Sequence, residues 1–242
     1  AAAKKGKKIY QLNIGQPDIK TPDVAMQAVK DNSIEVLSYS HSAGFASYRE
    51  KLAKYYERND IHVSAEDIIV TTGGSEALLF AMGTITDPGD EVIIPEPFYA
   101  NYNGFATSSG VTIVPIESSI ENNFALPPIL EFEKLITENT KAILLCNPGN
   151  PTGSILNKGC VDEVVDFASE KGLAIIADEV YQDNTYDSKF HSFAQAVWDR
   201  PHVPLFSLHS VSKGFYGECG HRGGYLEVRN SPTLLSTEQS LI

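Results

Sequence analysis

This sequence predicts an α/β domain: a mainly parallel, seven-stranded sheet sandwiched by helices. Three observations carry that prediction. Short β-branched runs recur along the chain, two of them (AILLC, 142–146, and LAIIA, 173–177) are apolar at every position, and longer amphipathic segments alternate with them. Strands covered on both faces read as continuous apolar runs, and strand–helix alternation returns each strand parallel to the one before. Taken in order, residues 1–37 form an N-terminal lead-in, extended and turn-rich through YQLNIGQPDIKTP and then helical through DVAMQAVK. Residues 38–242 form the main domain, with strands expected at 68–72, 91–95, 111–116, 141–146, 173–177, 205–209 and 224–228. Helices are expected at 75–85, 100–109, 129–136, 158–170 and 232–241. In SYREKLAKYYERN, Tyr55 and Tyr56 read as a helix face and Arg49 as a surface or subunit-contact charge, while Trp198 reads as packing.

Composition narrows the function. A chain of 242 residues buries a substantial core without staples, and a net charge of −12 argues against a nucleic-acid surface. The longest nearly apolar stretch, 77–85, is too short to span a bilayer, and the basic start AAAKKGKK has no apolar run behind it as a secretory signal would. Cys146, Cys160 and Cys219 sit at no metal-ligand spacing, and neither do the histidines. No metal is therefore expected, and free thiols fit a reducing, cytoplasmic compartment. The expectation is a cytoplasmic domain that handles small molecules.

Candidate chemistry gathers where strands end. The strand at 68–72 runs into Gly73-Gly74-Ser75 and a helix, a turn that offers free N–H groups to an anion but is also ordinary turn chemistry. The strand at 141–146 runs into NPGNPTG (147–153), a rigid loop that holds the Asn150 amide; a surface turn is its plainer reading. The strand at 173–177 ends in Asp178-Glu179-Val180-Tyr181, where a buried carboxylate needs a donor or cation, or else caps a helix. Ser210, Ser212 and Lys213 follow the strand at 205–209, with Arg222 nine residues beyond the lysine. A desolvated lysine near other cations is a nucleophile toward carbonyls, whereas a lone lysine is usually just solvated.

Together the pieces suit one ligand: an aromatic cofactor with an aldehyde, a phosphate, a phenolic oxygen and a ring nitrogen. Lys213 suits the aldehyde and Asp178 the protonated ring nitrogen. Gly74, Ser75, Ser210, Ser212 and Arg222 suit the phosphate, Asn150 and Tyr181 the phenolic oxygen, and Tyr99 a ring face. Ligands of open α/β sheets sit at the carboxyl ends of strands, where all of these positions lie.

In the order NIGQPD, TTGGSEAL, PEPFY, NPGNPTG, ADEVY, SVSK, HRGGY, the chain resembles the class I/II pyridoxal-phosphate-dependent aminotransferases of fold type I. The resemblance runs almost from end to end. It implies pyridoxal 5'-phosphate as cofactor and an amino-group transfer between an L-amino acid and a 2-oxo acid. By resemblance, Lys213 is the aldimine lysine and proton shuttle, Asp178 the ring-nitrogen partner, and Asn150 and Tyr181 the phenolic-oxygen partners. Gly74, Ser75, Ser210 and Arg222 match phosphate-binding positions, and Tyr99 matches the stacking aromatic. Gly15 and Asn150 match positions beside the substrate. Tyr39 matches a tyrosine that reaches the neighbouring subunit's phosphate, which implies a homodimer.

Two departures qualify the match. Many family members place the arginine one residue closer to the lysine; the longer form SKGFYGECGHRGGY is similar to the alanine branch of the alanine/aspartate aminotransferases and tilts the substrate toward alanine. Family members are also longer, and this chain ends twenty residues after Arg222. The C-terminal small domain, with the arginine that grips the substrate carboxylate, is thus expected to be absent. Residues 38–242 then correspond to a cofactor-binding large domain truncated before that small domain. The alternatives are a C–S lyase of the same fold and a cofactor-binding fragment without turnover.

Overall fold

A computed structural model describes residues 3–10, 15–17, 19–214 and 218–231. Its centre is a seven-stranded sheet: β1 (Ile68–Thr71), β2 (Glu91–Glu96), β3 (Thr112–Glu117), β4 (Thr140–Cys146), β5 (Ala174–Asp178), β6 (Leu205–Ser210) and β7 (Gly224–Arg229). The order across the sheet is β1-β7-β6-β5-β4-β2-β3. Only β7 runs antiparallel to its neighbours, β1 and β6. Each expected strand agrees with an observed one to within a residue or two at either end.

Alternation along the central strands divides the core in two. Ile143 and Leu145 of β4 and Ile175 and Ala177 of β5 face one side; Ala142, Leu144, Ala174 and Ile176 face the other. The first side is covered by α2 (Ala46–Glu57), α5 (Ile129–Glu133), α6 (Lys158–Lys171) and α7 (Phe193–Ala196); the second by α3 (Gly74–Ile85) and α4 (Tyr102–Ser109). α1 (Asp23–Lys30) buries no residue. Each fully buried Ile, Leu or Val on these strands contributes roughly 1.5–3 kcal/mol of transfer free energy. Among the described residues no helix is long and apolar enough to cross a membrane.

Several expectations need correction. The helix at 129–136 ends at Glu133, because the amides of Leu135 and Ile136 bond three residues back to Phe132 and Glu133 and tighten the last turn. α4 begins at Tyr102, two residues later than expected, and α7 lies where the sequence predicts no helix. Arg49 is no surface charge: it is buried, and its Nη1 donates to the Ala65 carbonyl at 2.8 Å. Trp198 is 61% exposed, lying against His62 and beneath the Arg229 guanidinium rather than in the core. The helix expected at 232–241 lies outside the described residues.

Candidate active site

The parallel strands all present their carboxyl ends to one edge of the sheet, and register sets the functional positions level there. Cys146 pairs with Asp178 and Asp178 with Leu208, while Thr71 and Ser210 both pair with Gly224. Above this edge lies a cavity of about 850 Å³ lined by Gly15, Gly74, Ser75, Tyr99, Asn150, Asp178, Tyr181, Ser210, Ser212, Lys213 and Arg222. Every sequence-predicted site residue except Tyr39 is among them. Tyr39 is fully exposed and stands apart from the cavity.

Asp178 ends β5 and follows the parity of Ala174 and Ile176, so its carboxylate emerges on the side of α3 and α4. It is only 5% exposed. Burial pushes its pKa up to about 6, opposed by the Tyr102 hydroxyl, the Val180 amide and the Lys213 charge. The Tyr102 hydroxyl donates to Oδ2 at 2.6 Å, and the Val180 N–H approaches Oδ1 at 3.4 Å. Lys213 Nζ donates to the Gly15 carbonyl at 3.0 Å and lies 5.7 Å from the centre of the Tyr181 ring. Asn150 Nδ2 approaches the Tyr181 hydroxyl at 3.4 Å, so these two groups converge on one point of the cavity wall. Tyr99 accepts from Asn101 Nδ2 at 2.7 Å, and its ring packs edge-on against Tyr102.

The other end of the cavity brings a helix start and a guanidinium together, an arrangement that suits an anion. α3 has no side-chain cap at its N-terminus, where Gly74 and Ser75 line the cavity, so its first N–H groups and helix dipole are available to a ligand. Arg222 lies against this helix start, and its Nη1 donates to the Cys219 carbonyl at 3.1 Å and approaches Ser212 Oγ at 3.5 Å. Gly73 is favoured by its backbone, since its φ of +80° is left-handed, and it lies close to Arg222, whose Nη2 would have to shift from 2.5 Å to admit a Cβ there.

A flat group with an anionic arm and a protonated ring nitrogen fits this arrangement. The buried carboxylate whose pKa burial has raised is matched by a cation delivered into the cavity, and the arginine with the free helix start matches the anion. Sequence reasoning missed Tyr102. Its ordinary aromatic signal in PEPFYANY gave no hint of a bond to a carboxylate 76 residues away.

Comparison with known proteins agrees. Residues 7–239 match the family model for aminotransferase class I and II. Alanine aminotransferase 1 of Bos taurus is 37% identical over 211 residues, covering 80% of this chain and 42% of that protein. An alanine aminotransferase structure from Pyrococcus furiosus superposes with a TM-score of 0.87 at 30% identity, covering 98% of this chain and 61% of that one. An aspartate aminotransferase structure from Thermotoga maritima gives 0.85 at 31% identity, covering 94% and 60%. The chain therefore spans less than two thirds of each of these relatives. By sequence and by architecture, the chain belongs to the class I and II aminotransferases, a family of pyridoxal-phosphate-dependent enzymes.

Proposed function

We propose that the cavity binds pyridoxal 5'-phosphate and that the protein moves an amino group between an L-amino acid, alanine in first place, and a 2-oxo acid. The observation that carries this reading is the shared cavity of Asp178, Lys213 and Arg222, with the free start of α3 at its anionic end. When bound, the cofactor supplies an electron-withdrawing ring that makes the substrate's α-proton removable. Arg222, Gly74, Ser75, Ser210 and Ser212 grip the phosphate, while Asn150 and Tyr181 orient the ring through its phenolic oxygen. Asp178 holds the ring-nitrogen proton in place, and Tyr99 closes one face. Lys213 Nζ, beside the Gly15 carbonyl, takes the proton from the substrate's α-carbon and returns it elsewhere on the reacting system. Gly15 and Asn150 border the substrate.

Alanine is supported by the GECGHR spacing and by the name of the bovine relative. A homodimer is part of the reading, with Tyr39 reaching the phosphate site of the second subunit. Support comes from Val36, Leu37 and Tyr39, which are 76%, 91% and 103% exposed in the single chain. A cytoplasmic setting is supported by three unpaired cysteines. The test is to supply pyridoxal phosphate, L-alanine or L-aspartate, and a 2-oxo acid acceptor, and to follow the new 2-oxo acid. Faster turnover of alanine is expected. Release of free ammonia and thiol from an added sulfur-bearing L-amino acid, with no amino group passed to the acceptor, refutes transamination, and cofactor binding with no product identifies a fragment without turnover.

A further inference from the structure

Resting on that reading, we propose that Tyr102 is a positioning residue: it holds Asp178 as an oriented carboxylate facing the cavity and braces Tyr99 at the same time. Tyr102 is fully buried in the first turn of α4, and its hydroxyl reaches Asp178 Oδ2 at 2.6 Å. Its ring packs edge-on against Tyr99, with centroids 5.4 Å apart, and stacks on Phe98 at 6.0 Å. One side chain therefore ties the wall above the ring site to the carboxylate at its floor.

The groups facing Asp178 explain why this bond matters. From β4 comes the Cys146 thiol, from α4 the Tyr102 phenol, from beyond β5 the Tyr181 phenol, and from beyond β6 the Lys213 amine. Burial holds the Cys146 thiol and the Tyr102 phenol well above their ordinary ranges, and the Tyr181 phenol is pushed up to about 12. All three are neutral near pH 7. Lys213 is the one cation of the set, and it is the group that the reaction itself engages. Tyr102 is left as the side-chain donor that stays in place throughout, and a hydrogen bond to the charged form favours ionisation.

The test compares wild type, Tyr102→Phe, which keeps the ring, and replacement of Tyr102 by 3-fluorotyrosine, which keeps the size and strengthens the donor. Asp178 titration is followed in the cofactor-free protein by carbon NMR of labelled aspartate carboxyls, assigned with Asp178→Asn. Pyridoxal phosphate affinity is measured across the same pH range. Tyr102→Phe should raise the Asp178 midpoint by about one pH unit, and fluorotyrosine should lower it. Affinity in Tyr102→Phe should fall severalfold near neutrality and recover at high pH, where Asp178 is ionised in both proteins.

An unchanged midpoint in both variants, or a uniform loss of affinity at every pH, overturns the assignment. Should Tyr102→Phe fail to fold, the fluorotyrosine shift alone decides. If wild type binds no pyridoxal phosphate, the cofactor reading fails, and the cofactor-free titration still decides the role of Tyr102.

Discussion

Two neighbouring carboxylates at the end of β5 have opposite surroundings. Glu179 turns toward α7 and is fully buried, with Ser192 Oγ at 2.7 Å, the Phe193 amide at 2.8 Å and Ser207 Oγ at 3.2 Å. Its polar needs are met from three sides by the protein. Asp178 turns the other way, toward the cavity, with one side-chain donor and an open approach. Burial raises both, Glu179 to about 8 and Asp178 to about 6. A perturbed pKa therefore does not separate structure from function here. The completeness of the hydrogen-bond shell differs: the protein surrounds Glu179 with three donors, while Asp178 has one side-chain donor and faces the cavity, which is why we propose it as the ligand's partner.

The contrast can be broken most decisively at Lys213. Lys213→Ala, which leaves both carboxylates intact, should lower amino transfer by about 10³-fold or more in a steady-state assay. Retained activity would detach the cavity from the chemistry. Next, Asp178→Asn should weaken pyridoxal phosphate binding by roughly 10–100-fold, the worth of a hydrogen bond to a charged group, while Glu179→Gln should leave it nearly unchanged. Equal losses at both positions in equilibrium titrations would erase the distinction between the two faces.

A smaller effect is expected at the anionic end. Arg222→Lys exchanges a fork for a point charge and should cost about tenfold in affinity for pyridoxal phosphate but little for pyridoxal, which lacks the phosphate. Equal losses for both ligands would remove Arg222 from phosphate binding. The smallest expected effect is on stability. Because Glu179 has a higher pKa folded than unfolded, its contribution is complete below about 4.5 and is lost as pH rises through about 8. Urea midpoints of the cofactor-free protein should show that loss in wild type and a flatter profile in Glu179→Gln. Parallel profiles would mean that Glu179 does not titrate in this window.

Much of this molecule is legible in its sequence because its strongest signals are local. Ala142 to Leu145 and Ala174 to Ala177 announce doubly covered strands, and Gly74, Asn150, Asp178 and Lys213 announce themselves by standing at or just past strand ends. What stayed hidden depends on contacts between distant segments. Arg49 looks like a surface charge until the Ala65 carbonyl meets it, and Tyr102 looks like packing until Asp178 does. Glu179 and Asp178 are indistinguishable in ADEVY. Only the pleat of β5 and the arrival of Ser192 and Ser207 assign one to the structure and the other to the cavity.

The central claim is that Lys213 and Asp178 serve one pyridine ring. Incubating the purified chain with pyridoxal phosphate, reducing it with borohydride and mapping the modified peptide by mass spectrometry tests this most directly. A single phosphopyridoxyl group on Lys213 is expected, with occupancy sharply reduced in Asp178→Asn. Modification spread over surface lysines, or a Lys213 adduct indifferent to Asp178, would contradict it.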